Sequence, residues 1–216
     1  MLDISKIYKS NNYGPFRILN YTHSKAISIQ FIETGYKTTA QANDISVGNA
    51  KDRLAPTIFG IGFIGEGPHK ANVNGKQTKV YVTWRNMLRR CYDAKYQAKY
   101  PTYADCTVAE EWHDFQVYAE WHIEHYIEGY ELDKDCKIDG NRIYSPDTCN
   151  FIRPKDNQEK AHAKDYVFTS PEGKMVNVYN LAEFCRENGL HSAAMYLVAK
   201  GKRSHHKQWR AKNECI

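Results

Sequence analysis

The sequence predicts an α+β fold, and three observations along its 216 residues support that prediction. Short runs rich in Ile, Phe and Tyr near the N-terminus indicate β-strands. In the middle of the chain, apolar residues recur with the spacing of an amphipathic helix. Near the end, two short helix patterns are joined by a glycine. We therefore expect a small β-barrel-like domain at 1–66, a mixed core with flanking helices at 67–165, and a helical module at 166–216.

The N-terminal strands are predicted from alternation. Ile27, Ile29 and Phe31 alternate with polar residues, which is the period of a half-buried strand. The glycine-rich run FGIGFIGEGPH follows at 59–69. It lacks the Lys-Ser/Thr ending of a phosphate-binding loop, so we interpret it as a turn that closes the small barrel.

A first core helix is predicted in TWRNMLRRCYD, after a hairpin turn at Asn74-Gly75. Its apolar positions are Trp84, Met87, Leu88 and Cys91. The arginines that lie off this apolar face are Arg85, Arg89 and Arg90. Guanidinium groups there could grip phosphates, but they could equally be solvated or pair with the acidic helix that follows. These roles stay open.

A second core helix is predicted at about 109–128. Its expected buried stripe is Trp112, Phe115, Ala119 and Ile123. The same helix carries His122 and His125, which are spaced i, i+3. A helical metal-binding pair needs the spacing i, i+4, so we expect both histidines to be structural.

The charge distribution indicates an anionic partner more clearly than the net charge does. The formal net charge is +5, which alone does not identify nucleic-acid binding. After Val198, however, no acidic residue occurs before Glu214. The basic residues in that stretch are Lys200, Lys202, Arg203, Lys207, Arg210 and Lys212. Such a one-sided run suggests contact with an anionic polymer.

Cysteine usage and hydropathy predict a reduced, cytoplasmic protein. None of the six cysteines forms a CxxC pair, which argues against a structural zinc site. The N-terminus MLDISKIYKS has no apolar signal region, and no run has the length of a membrane span. We therefore expect no membrane partner, and no oligomeric state is predicted.

The C-terminal module has the signals of two capped helices. Asn180 is a plausible N-cap with Glu183 in the capping-box position, and Gly189 ends that helix. His191 or Ser192 opens the next helix, whose Ala194, Leu197 and Val198 are expected to pack back. Two short helices followed by a basic cluster are typical of a helix-turn-helix that enters a major groove.

Three segments of the core together resemble phage proteins related to HNH endonucleases: TWRNMLRRCYD, YPTYADCTVAEEWHDFQVYAEWH and LDKDCKIDGNRIYSPDTCNFIRPKDN. The tail SPEGKMVNVYNLAEFCRENGLHSAAMYLVAKGKRSHHKQWR is similar to the NUMOD-type DNA-binding module of homing endonucleases. The resemblance covers roughly residues 78–210. It implies a central ββα-metal core, a C-terminal helix-turn-helix module and double-stranded DNA as the partner.

The resemblance also implies a site in two strands and the helix after them. Asp133 or Asp135 would be the first metal ligand, and Asn157 would complete a site for Mg²⁺ or Mn²⁺. Asn150 falls at the asparagine that orients the catalytic base. The base itself is a histidine in such sites. Here that position is Lys134, or Lys137 under a shifted alignment.

This departure leaves three interpretations open. A lysine with the usual pKa near about 10.4 is a poor base at neutral pH, although burial can lower that pKa. The site either works with Lys134 or another residue as base, borrows a histidine such as His162 or His125, or has lost catalysis. The asparagines, for their part, also suit turn or cap positions.

The leading functional hypothesis is a metal-dependent endonuclease that cuts phosphodiester bonds of double-stranded DNA. The alternatives are an inactive DNA-binding protein of the same fold, with a regulatory or anti-competitor role, and a protein-binding adaptor. The predicted catalytic residues are Lys134, Asn150 and His162. The predicted DNA-binding residues are Arg85, Arg89, Arg90, His191, Lys200, Lys202, Arg203, Lys207 and Arg210.

Overall fold

A computed structural model describes residues 2–138, 140–161 and 163–211 of the chain. Within these residues, seven α-helices and several small sheets confirm the predicted α+β class. No helix of the described ranges is both long and apolar enough to cross a membrane.

Two compact units make up the chain. The first comprises residues 1–128 and 132–151, and the second comprises residues 129–131 and 152–216. The first unit thus joins the strand-rich N-terminus to most of the predicted core. The division into three domains at 1–66, 67–165 and 166–216 stays a prediction.

The N-terminal part of the first unit is a four-stranded antiparallel sheet in the order β1-β2-β3-β4. Its strands are β1 (Ile7–Ser10), β2 (Gly14–His23), β3 (Ala26–Phe31) and β4 (Lys37–Ala40). The predicted alternation in β3 is confirmed, because Ile27, Ile29 and Phe31 are fully buried while Ser28 and Gln30 are only half-buried. Phe16 and Ile18 of β2 complete the same apolar face.

The predicted β-barrel is wrong, since none of the described sheets closes into a barrel. After β4 the chain enters helix α1 (Ala42–Val47) instead of returning as a strand beside β1. Ile45 of α1 is buried in the same apolar cluster as the strands. A sheet whose apolar face is covered by a helix has no need to close on itself to bury that face.

Three helices and a hairpin follow in the first unit. They are β5 (Asn72–Val73), β6 (Lys76–Gln77), α2 (Lys79–Tyr92), α3 (Ala94–Lys99) and α4 (Phe115–His125). Short 3-10 helices cover Pro101–Tyr103 and Glu110–His113. Asn74 and Gly75 both have positive φ, at 50° and 75°, which confirms the hairpin turn predicted between β5 and β6.

The buried stripe of α2 is confirmed. Trp84, Met87, Leu88 and Cys91 are all buried, and Tyr81 joins them one turn earlier. The helix starts at Thr78, whose hydroxyl accepts a hydrogen bond from the Tyr81 backbone N–H. The Trp84 indole N–H donates to the Trp112 carbonyl oxygen at 2.7 Å, which ties α2 to the 3-10 helix before α4.

The buried stripe predicted for the second core helix is wrong at Ile123, whose relative exposure is 62%. The prediction assumed one continuous α-helix from about residue 109. The chain instead forms a 3-10 turn, and Asp114 then caps a new helix by accepting from the Gln116 N–H at 2.7 Å. Trp112, Phe115 and Ala119 are buried as predicted, but His122, seven residues after Phe115, is buried in place of Ile123.

His122 is packed among aromatic rings, as expected of a structural histidine. Its ring stacks on Tyr126 at 4.8 Å and meets Phe151 edge-on at 5.2 Å. Nε2 is buried and has no hydrogen-bond partner among the described residues. Burial, together with a smaller contribution from the positive charge of Lys79, lowers the pKa of His122 to about 4.

The strands of the predicted site form two small pairs. β7 (Thr107–Val108) runs parallel to β9 (Ile143–Tyr144), and β8 (Glu131–Asp133) pairs with β10 (Asn150–Ile152). Helix α5 (Pro154–Ala161) follows β10 directly. Between β8 and β10 the chain forms β9, which pairs with β7, and the ββα-metal core stays a prediction.

The second unit closes around a small core of its own. It holds the sheet β12-β11-β13 and two helices: β11 (Tyr166–Thr169), β12 (Met175–Val178), α6 (Leu181–Glu187), α7 (Ser192–Ala199) and β13 (Arg210–Ala211). The hairpin at SPEGK is confirmed by β11 and β12. The packing predicted for Leu197 is wrong, because Leu197 is exposed and Met195 is fully buried instead.

The cysteines agree with the expectation of reduced thiols. Four of the described cysteines, Cys91, Cys106, Cys149 and Cys185, are free thiols at buried positions. Burial raises the pKa of both Cys91 and Cys149 to about 12. These two thiols therefore stay protonated at neutral pH and act as small apolar side chains.

We predict that His122 makes the fold sensitive to acid. In the unfolded chain His122 takes up a proton at the ordinary pKa of 6.5, whereas in the folded chain it does so only at a pKa of about 4. Stability from this group is therefore lost as the pH falls from 6.5 towards 4. His122→Phe should remove about 2 kcal/mol of the difference in unfolding free energy between pH 7 and pH 5, measured by urea denaturation. His125→Phe, at an exposed position on the same helix, is the matched control. An unchanged pH dependence in His122→Phe would contradict the assignment.

Candidate functional site

The candidate site lies on the loop between β8 and β9, and reciprocal hydrogen bonds hold this loop. Lys134 Nζ donates to the Asn141 carbonyl oxygen at 2.7 Å, and Asn141 Nδ2 donates back to the Lys134 carbonyl oxygen at 2.7 Å. Asn141 also donates to the Ile143 carbonyl oxygen at 2.6 Å and accepts from the Ile143 N–H at 3.3 Å. One lysine and one asparagine thus fix both ends of the loop.

The two reciprocal hydrogen bonds between Lys134 and Asn141 are called the Lys134–Asn141 lock below. The predicted metal ligands of the first unit lie beside it. Asp133 is 9% exposed, and its Oδ1 accepts from the Asp135 N–H at 3.1 Å. Asp135 Oδ2 is 3.3 Å from Lys134 Nζ, in an ion pair whose lysine side chain is 12% exposed. The structure therefore brings Asp133, Lys134 and Asp135 together, with one ammonium group serving two oxygen acceptors.

The geometry of Lys134 is that of an ammonium donor. Its Nζ donates at once to a carboxylate and to a carbonyl oxygen. Action as a general base would require the neutral amine, which keeps two N–H groups for these acceptors but loses the charge that pairs with the Asp135 carboxylate. The other lysine considered for the base, Lys137, donates to the Asp147 carbonyl oxygen at 3.0 Å on the exposed side of the loop.

The carboxylates fit a magnesium-type ion only as part of its coordination. In the ranges that the structure describes, no three His, Cys, Asp or Glu side chains form a group able to hold a metal ion. Mg²⁺, however, is commonly bound by one or two carboxylates, with water and substrate phosphate as its other ligands. Asp133 and Asp135 are the two carboxylates that the predicted site offers to such an ion, and Asp135 is paired with Lys134 in this structure.

The remaining predicted catalytic and metal residues are distributed as follows. Asn150 is exposed, and its Oδ1 accepts from the adjacent Phe151 N–H at 2.9 Å. Asn157 belongs to the second unit and donates to Glu131 Oε2 at 3.1 Å, so its role as a metal ligand remains a prediction. His162 lies outside the described residues. His125 Nδ1 is 2.7 Å from the Trp121 carbonyl oxygen, and its ring stacks on Trp121.

Helix α2 places the half-buried guanidinium group of Arg90 next to the loop. Arg90 is half-buried, donates to the Tyr144 hydroxyl at 3.4 Å, and lies over the Tyr103 ring at 5.7 Å. Burial raises the pKa of the Tyr103 phenol, and the charge of nearby Asp133 contributes to the rise. In this structure Arg90 is therefore part of the packing around the loop, and its predicted contact with DNA remains untested.

Two other arginines of α2 face solvent. Arg85 and Arg89 are both exposed and are spaced i, i+4, so they lie on one side of the helix. Arg89 pairs with Asp93 at 3.5 Å and also lies 4.9 Å from the centre of the Tyr96 ring. An exposed ion pair of this kind contributes little to stability, which leaves both arginines available to phosphates.

The second unit has a surface without acidic residues. From residue 189 to residue 211 the chain carries five Lys or Arg and three His, and it carries no Asp or Glu. The basic side chains there are exposed: Lys200, Lys202, Arg203, Lys207 and Arg210. We call this stretch the basic surface. It contains every residue of the second unit that was predicted to bind DNA.

Histidines and a lysine hold the turn between α6 and α7. His191 caps α7 by accepting from the Ala194 N–H at 3.4 Å, and its own N–H donates to His206 Nε2 at 3.2 Å. Lys207 Nζ donates to the Gly189 carbonyl oxygen at 2.7 Å. The predicted N-cap at Asn180 is confirmed as well, since its side chain accepts from the Glu183 N–H.

The electrostatics of this turn are strongly positive. Partial burial lowers the pKa of His206, and the positive charges of Arg203 and Lys207 lower it further. The basic surface is therefore suited to an anionic ligand such as the phosphate backbone of DNA.

The structural role of Asn141, which follows Gly140, was not predicted from the sequence. The signal was present, because an asparagine after a glycine in a loop often bonds to neighbouring backbone groups. The contact with Lys134, seven residues away, had no such signal. The packing of Tyr103 and Tyr144 around Arg90 was missed for the same reason.

Comparisons with known proteins identify no family for the chain. No family model matches it, and no curated protein matches it significantly. A solved structure that it resembles shows DNA binding and cleavage by the HNH homing endonuclease I-HmuI. That match has 23% sequence identity and a TM-score of 0.23, and it covers 46% of this chain and 67% of that chain. At this TM-score a shared fold is not shown, so function must be inferred from the residues of this chain.

We predict that Asn141 is the main support of the loop. Asn141→Ala removes three hydrogen bonds and should lower the free energy of unfolding by about 2 kcal/mol. Asn150→Ala, at an exposed asparagine whose side chain bonds only the next backbone N–H in the contacts described above, should change it by less than about 0.5 kcal/mol. Urea denaturation of both variants measures the difference. Equal losses would mean that the Lys134–Asn141 lock does not stabilise the loop.

Proposed function

We propose that this chain binds double-stranded DNA and cuts its phosphodiester bonds at the loop that carries Asp133 and Asp135, with Mg²⁺ or Mn²⁺ as cofactor. The observation that carries the proposal is this carboxylate pair, held beside one ammonium group by hydrogen bonds across the loop. The resemblance of the segment to HNH motifs agrees with it. A bound divalent ion would polarise the scissile phosphate and stabilise the leaving oxygen.

The protein residues have separate roles in this proposal. Asp133 and Asp135 hold the cation, and Asn157 is the third ligand implied by the sequence. Lys134 keeps Asp135 in place while no DNA is bound, because its ammonium group offsets the carboxylate charge. When DNA arrives, the same ammonium group can pass from Asp135 to a phosphate oxygen. Asn150 and His162 keep the roles implied by the sequence, as orienting residue and candidate base.

DNA binding is supported by charge in both units. Arg85 and Arg89 are exposed on α2 in the first unit, and the basic surface lies in the second. Phosphate contacts of this kind supply affinity without reading sequence, and that affinity falls steeply with salt. Helix α7, which begins at His191 within this surface, is the candidate recognition helix.

A second candidate function is DNA binding without cleavage. The specific observation in its favour is again Lys134, which stands where an HNH site has its histidine and which here donates hydrogen bonds. A site with this substitution could keep its fold and its affinity for DNA while losing the base that activates water.

The cleavage proposal predicts that the carboxylates are needed for cutting and dispensable for binding. Asp133→Asn and Asp135→Asn should each lower plasmid nicking with Mg²⁺ or Mn²⁺ by more than about 100-fold, since even the loss of residues that support metal ligands costs about 10- to 100-fold. DNA affinity, measured by fluorescence anisotropy, should stay unchanged.

Asp105→Asn, at an exposed carboxylate of the same unit, is the matched control and should nick like the wild type. EDTA should stop the wild-type reaction. Nicking that persists in both variants would place the active site elsewhere. A wild type that binds DNA but never nicks it would favour the non-cutting alternative.

The binding proposal predicts a change in salt dependence. Replacing Lys200, Lys202 and Arg203 with Ala should make the slope of log affinity against log salt less steep by about 3, because each phosphate contact contributes about 0.9. Anisotropy titrations over a range of salt concentrations measure the slope. Replacing the exposed Lys6, Lys9 and Lys25 changes the net charge equally and should leave the slope unaltered. Equal slopes in both triple variants would show that the basic surface does not contact DNA.

A further inference from the structure

Helix α3 and the 3-10 helix after it contribute nothing to the buried core. None of the residues of Ala94–Lys99 or Pro101–Tyr103 is buried. The segment nevertheless holds three tyrosines: Tyr96, Tyr100 and Tyr103. Tyr96 and Tyr103 are half-buried and Tyr100 is exposed, so the three rings keep part of their surface available to a ligand.

The three rings are ordered against one another and against cations. Tyr96 lies 4.7 Å from Tyr100 and 5.9 Å from Tyr103, measured between ring centres. Arg89 lies over the Tyr96 ring at 4.9 Å, and Lys99 lies over the Tyr100 ring at 5.3 Å. Tyr100 remains 41% exposed. We call this group of three rings the tyrosine platform.

The charge around the platform is positive. Residues 85–104 contain five Lys or Arg and a single acidic residue, Asp93. That carboxylate is engaged, since it caps α3 by accepting from the Lys95 N–H at 2.9 Å and pairs with Arg89. Flat rings interleaved with cations are the arrangement that binds unpaired nucleotides, because bases stack on the rings and phosphates meet the cations.

The platform is joined to the candidate site by direct contacts within the first unit. Arg142 donates to the Thr102 carbonyl oxygen at 2.9 Å, which ties the 3-10 helix to the end of the loop. The preceding residue is Asn141, which is bonded to Lys134. Tyr103, in turn, lies under Arg90. A strand lying on the platform would therefore pass close to the loop that carries Asp133.

We propose that the tyrosine platform binds an unpaired stretch of DNA strand beside the candidate site. Bases inside a duplex have both faces covered by their neighbours, so a protein ring can stack only on a base that has left the stack. The platform would thus select DNA that is locally open, such as a bulge, a gap or a flipped base. The inference depends on the proposed function only for the choice of DNA as the polymer.

Single-residue variants test the stacking contact in the full chain. Tyr100→Ala should weaken binding of a single-stranded oligonucleotide about tenfold, in the range expected for loss of one base–aromatic stack. Tyr100→Phe keeps the ring and should bind like the wild type. Tyr179→Ala, at a tyrosine of the second unit that is 54% exposed, is the matched control and should also bind normally. Equal loss in Tyr100→Ala and Tyr179→Ala, or no loss in Tyr100→Ala, would overturn the proposal.

Photocrosslinking gives a second measurement that needs no variant. A single-stranded oligonucleotide, and a duplex with a bulged 5-iodouracil, should crosslink to the peptide that contains Tyr96, Tyr100 and Tyr103. A fully paired duplex carrying the same base should not crosslink there. Crosslinks that map only to other segments would overturn the proposal. That result is expected if the rings bind a protein partner instead of DNA.

The experiments distinguish failure of the cleavage proposal from failure of the platform proposal. Crosslinking at the platform by a wild type that never nicks DNA supports the platform and removes the proposed cleavage. Nicking that depends on Asp133, together with crosslinks that never reach the platform, removes the platform alone.

Discussion

The first unit depends on the hydrogen bond from the Trp84 indole to the Trp112 carbonyl oxygen, made where both residues are completely buried. A buried indole N–H without a partner is costly, so this contact fixes the rotation of α2 against the segment before α4. Phe115 packs on Trp84 at 5.4 Å and extends the contact into α4. With α2 fixed in rotation, Arg90 is directed at Tyr144 and thereby at the strand that ends the site loop.

In the proposed function, the positive charge of Lys134 reduces the repulsion between the carboxylates of Asp133 and Asp135 and the phosphates of DNA. Two carboxylates repel a phosphate backbone unless a cation lies between them and it. Lys134 supplies one positive charge from within the loop, and it does so with a side chain that is only 12% exposed. A histidine at the same position would be mostly neutral at neutral pH. The lysine therefore favours the approach of phosphate but makes proton abstraction from water harder. The first effect serves DNA binding and the second opposes cleavage, which is the point on which the two candidate functions differ.

The spacing of buried residues in α2 and β3 was predicted correctly, whereas the closure of the N-terminal sheet into a barrel was not. The buried face of α2 and the alternation in β3 each depend on spacing within a single element, so both follow from the sequence. Barrel closure required β1 to meet β4, which no local pattern specifies. The predicted stripe failed only at Ile123, because spacing alone did not decide between that position and the neighbouring His122, which is the buried one. Of the candidate site, the assignment of Asp133 and Asp135 as metal ligands stays a prediction, and the Lys134–Asn141 lock had no signal in the sequence.

The tyrosines show why composition alone could not locate a binding surface. The chain has 16 of them, and their number fits a compact core as well as a nucleic-acid interface. The structure distinguishes tyrosines of the core from exposed ones. Tyr118 and Tyr144 are buried at 0% and 2% exposure, whereas Tyr100 is 41% exposed beside two further rings and a lysine. An exposed ring that is already ordered by its neighbours loses little conformational freedom when a base stacks on it. That preorganisation is what distinguishes the platform from a tyrosine that merely reaches the surface.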